Sequence, residues 1–169
     1  VFTGDAFNAF VFLEVSSIGT YALVGVGEAR DKRALPAAFN YLIFGTVGAT
    51  FYVLGVGFLY AATGTLNMAD MALRLATLGD NAAVQAGLAF VVAGLGVKAA
   101  MFPLHGWLPA AMVAPTPVSA LLHAVAVVKV GVFSTTRVML YVFGTDTMSA
   151  LNLGIPTAYF VSITILTAS

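Results

Sequence analysis

The stretch Ala82-Ala-Val-Gln-Ala-Gly-Leu-Ala-Phe-Val-Val-Ala-Gly-Leu-Gly-Val-Lys98-Ala-Ala-Met-Phe102-Pro103 says most about the architecture of this chain. Residues 82–102 hold a single charge, Lys98. At about 1.5 Å per residue they are long enough to cross about 30 Å of hydrocarbon. Pro103 then removes a backbone donor and crowds the carbonyl of Ala99, so this span should break near Phe102–Leu104. A stub over 104–112 continues it. The broken backbone should face the inside of a helix bundle, because lipid cannot satisfy its polar groups.

On either side of this stretch the same pattern recurs. A first span covers about 7–26 with Glu14 as its only charge, and a second covers about 36–62 with no ionisable charge. In the second span Gly45 and Ala49 stand four apart, a small-residue face suited to close helix packing. A short amphipathic helix is expected within 65–81, where Met68, Met71, Ala72 and Leu75 share a face while Asp70 and Arg74 pair on another, so it should lie at the membrane interface. After Val113-Ala-Pro-Thr-Pro117 a fourth span begins, with Thr116 as N-cap and Pro117 at its first position. It reaches about Phe143 and carries His123, Lys129 and Arg137. A loop over 144–152 should precede a fifth span near Ile155.

Composition agrees. Hydrophobic residues make up 60% of the 169, charged residues only 8%, and mean hydropathy is +0.99; a soluble domain carries about 25% charged residues. This is therefore an all-α integral membrane protein. At roughly 30 residues per span and connection, the length allows about five crossings, too few for most complete transporters. Val1 is not an initiator and Ser169 falls inside an apolar stretch, so a fragment is expected. Seven basic and seven acidic residues balance, which removes a basic footprint for nucleic acid. With no Cys and two His, no metal or cofactor site is expected. There is no P-loop, and the paired glycines lack a dinucleotide fingerprint, so they read as packing glycines. Arg30, Lys32 and Arg33 crowd one short loop, while Asp70, Arg74, Asp80 and Asp146 lie in loops on the other side; this places the loop after the first span in the cytoplasm.

The informative charges are those at mid-span. Each costs about 2.5–3.5 kcal/mol to insert unless paired or hydrated. Glu14 and Lys98 should pair across the first and third spans, within about 4–6 Å or through bridging water. Lys129 lies roughly 16 Å from one end of its span, too deep for easy snorkelling, and is expected to face the interior. A lysine can exchange its proton in response to burial and a neighbouring carboxylate, which suits a proton relay. His123 offers an imidazole as a stop between Lys98 and Lys129. His105 is open between a relay stop and an imidazole bonded to a loop carbonyl. Arg137 keeps its proton and reads as an anchor, and Asp5 as a cap or anchor of the first span. The competing reading is a structural scaffold whose buried ion pair fixes helix registry. A stand-alone channel fits the truncated architecture poorly. With one carboxylate within the spans, protons suit the chain better than sodium, which wants several oxygen ligands.

The run Lys98-Ala-Ala-Met-Phe-Pro103-Leu-His105-Gly-Trp107-Leu-Pro109-Ala, then Ala114-Pro-Thr-Pro117-Val-Ser119-Ala-Leu-Leu-His123-Ala, Lys129-Val-Gly131 and Arg137 closely resembles the antiporter-like membrane subunits. These form the proton-pumping arm of respiratory complex I, a NADH-quinone oxidoreductase, and have relatives in multi-subunit cation/proton antiporters and energy-converting hydrogenases. Phe12-Leu-Glu14-Val-Ser-Ser-Ile-Gly-Thr-Tyr21 looks like the family's glutamate-bearing helix. Gly4-Asp-Ala-Phe-Asn8, Leu13-Glu-Val-Ser-Ser17 and Gly64-Thr-Leu-Asn-Met-Ala-Asp70 look most like the fourth subunit of the cation/proton antiporters or a hydrogenase relative.

The resemblance implies a 14-helix subunit of two inverted five-helix repeats, with this chain forming one partial domain: the first repeat over approximately 1–143 and the start of the second over 153–169. It implies Glu14 as the ion-pair glutamate, Lys98 as the central lysine on the broken helix, Lys129 as the connecting lysine and His123 as a histidine near the water path. It also implies a translocase subunit without catalytic chemistry of its own, in a prokaryotic inner (cell) membrane, with other membrane subunits as partners and protons or sodium as cargo.

Overall fold

Asp5 starts the first helix: its Oδ1 accepts the Asn8 N–H at 2.7 Å, and α1 runs Ala6–Gly25. That is the capping role the sequence assigns to Asp5. In the computed structural model, which describes residues 2–29, 31–78 and 81–168, a short 3₁₀ turn, Val26–Ala29, leads to α2, Ala34–Thr63. Val1, Arg30, Asp80 and Ser169 lie outside the described residues, as does the Glu28 side chain. Gly64, at φ +72°, ends α2 in the left-handed region that favours glycine. An isolated antiparallel bridge joins Asp5 to Asn67, and Asn67 caps α3, Met68–Leu78, by accepting the Ala69 N–H at 2.9 Å. α3 is shorter than the stretch expected, but its Met68, Met71 and Leu75 are buried as the periodicity requires. Its Asp70–Arg74 pair closes at 3.0 Å, and that guanidinium bond holds the Asp70 carboxyl below the usual carboxylate range.

α4, Ala82–Lys98, is capped by Asn81 and followed by the turn-rich segment 99–106, then α5, Trp107–Ala111, and α6, Thr116–Leu121. Two π-helical turns, Leu122–Ala126 and Val138–Phe143, flank α7, Val128–Arg137. The helix continues as α8, Gly144–Ala150, in place of the expected loop, and α9 is Gly154–Ala168. Thr116 is the first helical residue rather than the cap: the Pro115 carbonyl accepts from Val118 and Ser119 at 2.8 and 3.0 Å. Segments 6–25, 34–63 and 116–149 are long and apolar enough to cross a membrane, and the helices at 82–98 and 154–167 are apolar but shorter. Phe12, Val15, Ile18 and Phe39 on the outer faces of α1 and α2 are about 60% exposed, as lipid-facing residues should be.

The tightest joint is α2 against α4. The two run antiparallel, and glycines seven apart meet in register, Gly48 with Gly94 and Gly55 with Gly87. A Cβ at Gly94 would stand 2.5 Å from the Gly48 carbonyl oxygen, and one at Gly55 2.7 Å from that of Gly87. The small-residue face expected at Gly45 and Ala49 is turned elsewhere: Gly45 receives the hydroxyl of Tyr21 from α1, and Ala49 lines a small cavity beside Lys98. Positions 45 and 48 stand about 60° apart around α2, and at that offset Gly45 meets Tyr21 of α1 while Gly48 meets Gly94 and Val97 of α4.

Apolar side chains gather in two clusters, one at each end of the bundle. One holds Tyr52, Val56, Met71, Leu88 and Val142; the other holds Val24, Tyr41, Val97, Trp107 and Leu122. In the second cluster Trp107, fully buried, stacks on Tyr41 at 4.2 Å and donates its indole N–H to the Val97 carbonyl at 2.9 Å. Trp107→Phe keeps the ring but strands that carbonyl and should cost about 1–3 kcal/mol. Trp107→Ala should cost about 3–5 kcal/mol, both read as thermal stability of the detergent-purified subunit.

Candidate functional site: a buried lysine at a helix break

The third span does break, but earlier than Pro103 requires. Lys98 is the last residue of α4. Ala100 takes a left-handed conformation at φ +53°, Ala100 N–H bonds the Val97 carbonyl at 3.2 Å, and Met101 N–H bonds that of Gly96 at 2.9 Å. This is a Schellman closure with alanine in the place glycine usually fills, at a cost of about 1–2 kcal/mol for the Cβ. Gly131 of α7 sits against the turn, so close that a Cβ there would meet Ala99 N at 2.5 Å. The break is thus a tertiary contact between α4 and α7, and Pro103 lies within the loop it opens. The loop's Phe102 N–H is taken by Thr164 Oγ1 of α9 at 3.3 Å. Trp107 and Ala111 turn inward, whereas Pro103 and Gly106 are exposed, so the break faces the interior only in part.

Lys98 is buried, 6% exposed, and reaches from α4 to α1. Its ammonium donates to the Leu13 carbonyl at 3.3 Å and makes a short contact with Ser17 Oγ, while Ser17 donates its own proton to Leu13 O at 2.6 Å. Glu14 and Lys98 line one cavity of about 10 Å³ with Phe10, Gly48, Ala49 and Tyr52, room for about one water. Glu14 Oε1 is buried with no hydrogen-bond partner. The expected pair is therefore assembled on one cavity but makes no direct ion pair; Ser17 and the Leu13 carbonyl hold the ammonium instead. Ser17 is a member of this candidate site that the pattern of charges does not reveal. Its signal was present: a hydroxyl three residues after a mid-span carboxylate, on nearly the same helical face.

The other expected residues lie apart. Gly131 faces α4, so Lys129, about 200° away around α7, faces outward and is exposed. The expectation that Lys129 faces the interior fails for this bundle, because α7 uses its glycine face for the close approach. His123 is exposed on the π-helical turn, its Nε2 3.0 Å from Met112 Sδ. His105 is partly buried in the loop, its ring centroid 5.7 Å from that of Phe102 and its Nδ1 without a partner. The break removes the shared face with Lys98 that an unbroken helix would give. Arg137 lines a cavity of about 100 Å³ with Ser16, Tyr52 and Ser134 between α1 and α7.

A bundle of apolar helices with a lysine buried at a broken helix, facing a glutamate on another, defines a class of membrane subunit. Residues 3–169 match the family described as "NADH:quinone oxidoreductase/Mrp antiporter, TM", and the chain belongs to that family. It is 52% identical over 141 residues to NADH-quinone oxidoreductase subunit N of Desulforudis audaxviator (strain MP104C), covering 83% of this chain and 27% of that protein. It is 37% identical over 145 residues to a Na(+)/H(+) antiporter subunit from Bacillus subtilis (strain 168), covering 86% and 29%. Among solved structures, a chain of the membrane-bound sulfane sulfur reductase, an archaeal respiratory membrane complex, superposes with a TM-score of 0.78 at 37% identity, covering 88% of this chain and 30% of that one. A chain of the Mrp complex from Dietzia sp. DQ12-45-1b gives a TM-score of 0.73 at 29% identity, covering 85% and 27%. The chain thus spans less than a third of the length of each. Relatives of the quinone-oxidoreductase and antiporter types align over much the same share of it.

Proposed function

We propose that this chain is the part of a multi-subunit, ion-translocating membrane complex in which a proton is held and passed between Glu14, Ser17 and Lys98, then onward through His123 and Lys129. The single observation that carries the reading is Lys98: an ammonium buried at a helix break, held by one hydroxyl and one carbonyl, with a carboxylate across room for one water. A water there bridges carboxylate and ammonium, and a small shift of α1 against α4 alters that bridge. Lysine can release its proton in response, which the guanidinium of Arg137 cannot. His105 stands at the loop end of the same break as a further stop.

Lys129 and His123 lie on the outer face of this bundle, the surface against which the remaining length of a subunit like the relatives would pack. A second repeat there would receive the proton. The parent complex is read as a prokaryotic inner-membrane assembly, multi-pass, with the 26–33 turn in the cytoplasm, of the quinone-oxidoreductase or cation/proton antiporter type. Protons are favoured over sodium because, among the described residues, Glu14 is the only carboxylate facing Lys98 from the packed elements.

The test uses the complete subunit in its complex, reconstituted in vesicles. Lys129→Ala should strongly reduce proton uptake while leaving incorporation intact, since removing an expensive charge need not unfold the bundle. Lys129→Arg should also impair uptake, because a guanidinium keeps its proton. Normal uptake by Lys129→Ala would remove Lys129 from the route. Glu14→Gln should slow uptake and leave it insensitive to sodium; sodium-dependent flux in the unaltered protein would favour sodium as cargo.

A further inference from the structure

Among the described residues, four buried polar side-chain atoms have no hydrogen-bond partner: Glu14 Oε1, Tyr21 OH, Tyr41 OH and His105 Nδ1. Folded proteins keep few such atoms, because each forfeits its bonds to water. Three of the four form one succession. Glu14, Ser17 and Tyr21 follow one another along a single face of α1. Tyr21 then meets Tyr41 of α2 edge-on, ring centroids 4.6 Å apart and planes at 88°. Both tyrosines are more than nine-tenths buried, 8% and 1% exposed.

Two further observations make the succession a built feature. Gly45 forms a notch for the Tyr21 hydroxyl, and a Cβ at that position would overlap the oxygen. Ser17 stands close to Tyr21 but commits its proton to the Leu13 carbonyl and its oxygen to Lys98. The opposite apolar cluster is different: its Tyr52 hydroxyl is satisfied by the Ala6 carbonyl at 3.2 Å. The layer of Glu14, Ser17 and Lys98 therefore has unspent hydroxyls on one side only, toward the turn at 26–33. Phenylalanine would fill both tyrosine sites without an unpaired oxygen.

We propose that the Tyr21 and Tyr41 hydroxyls hold a buried water in line with Ser17, and that through it the Glu14–Lys98 layer exchanges protons with the end of the bundle that carries the 26–33 turn. This rests on the relay reading of Lys98. Each phenol stays neutral: its oxygen accepts an incoming proton on a lone pair as its own proton leaves to the next oxygen, and rotation of the O–H resets it. Among the described residues Glu14 of α1 is the charged group whose field reaches both phenols, and Tyr41 is otherwise covered by the neutral ring of Trp107.

The experiment compares Tyr21→Phe, Tyr41→Phe and the double variant with the unaltered protein, all in the assembled complex. Proton uptake into vesicles is normalised to assembled complex, and the thermal midpoint of the subunit is recorded. Each single variant should lower uptake by about tenfold, and the double should be no slower than the slower single, as for elements in series. The thermal midpoint should stay the same or fall, because removing a water-bonded hydroxyl loses bonds. A dry, unpaired hydroxyl gives the opposite sign, since its removal stabilises. Normal uptake in the double variant, or a raised midpoint in both singles, overturns the proposal. Lys98→Met in the same vesicles separates the two levels. If it pumps normally the relay reading itself falls, and if it is dead while the tyrosine variants pump normally only the tyrosine route falls.

Discussion

Lys98→Met in the complete subunit should abolish proton uptake by reconstituted vesicles while the subunit still assembles. Methionine fills much of the volume of the lysine stem, so the apolar contacts around the α4 terminus survive. What disappears is the ammonium that bonds Leu13 O and Ser17 Oγ. Losing a positioned proton-transfer group typically costs about 10²–10⁴-fold in rate, and among the described residues no second cation lines the cavity with Glu14. Stability should fall, by no more than about 3–5 kcal/mol, because removing one partner of a buried pair leaves Glu14 without its cation, a loss that protonation of the carboxyl limits. Lys98→Arg should also be inactive, since a guanidinium keeps its proton and the cavity of about 10 Å³ does not admit its larger head. Full activity in Lys98→Met, with assembly confirmed, would leave the buried pair as a device for helix registry and favour the scaffold reading.

Gly94→Leu should prevent stable assembly altogether. The obstacle is backbone: a Cβ at Gly94 meets Gly48 O at 2.5 Å and Tyr52 N at 2.6 Å, and neither can rotate away. Overpacking a core typically costs about 1–3 kcal/mol where side chains can shift. Here α2 and α4 must separate along their whole contact, so the loss should exceed that range. Gly48 and Gly94 also line the Glu14–Lys98 cavity, so any surviving protein should be inactive. Native gels of membranes should show the variant subunit absent from its complex. Gly57→Leu is the control: on the same helix as Gly48, with no atom within 4 Å of a Cβ built there, it should assemble and pump normally.

Much of this molecule is legible in the order of its residues. Long runs with one charge or none read as membrane-crossing helices, because of the two structures that satisfy the backbone in hydrocarbon the barrel strand needs only about 9–11 residues of alternating hydrophobicity. Glu14 and Lys98 stand out for the same reason, as charges too costly to leave unexplained at mid-span. Asp5 as a cap and the Asp70–Arg74 pair are legible because both act over fewer than five residues. The motif from Lys98 to His123 carried the family.

Packing between helices settled the rest. The helix ends at Lys98 because Gly131 of α7 presses on the turn at Ala99, a contact no local spacing announces. Lys129 points away from Lys98 because that same glycine claims the inner face of α7. Gly48 and Gly55, not Gly45 and Ala49, carry the joint with α4, since which of several small faces is used depends on where the partner helix lies. Ser17, Tyr21 and Tyr41 look like ordinary mid-helix residues until folding sets Ser17 against Lys98, the Tyr21 hydroxyl against Gly45, and the Tyr41 ring between Tyr21 and Trp107. A membrane charge declares itself by its cost wherever it sits, whereas a hydroxyl gains its meaning only from the neighbours that folding supplies.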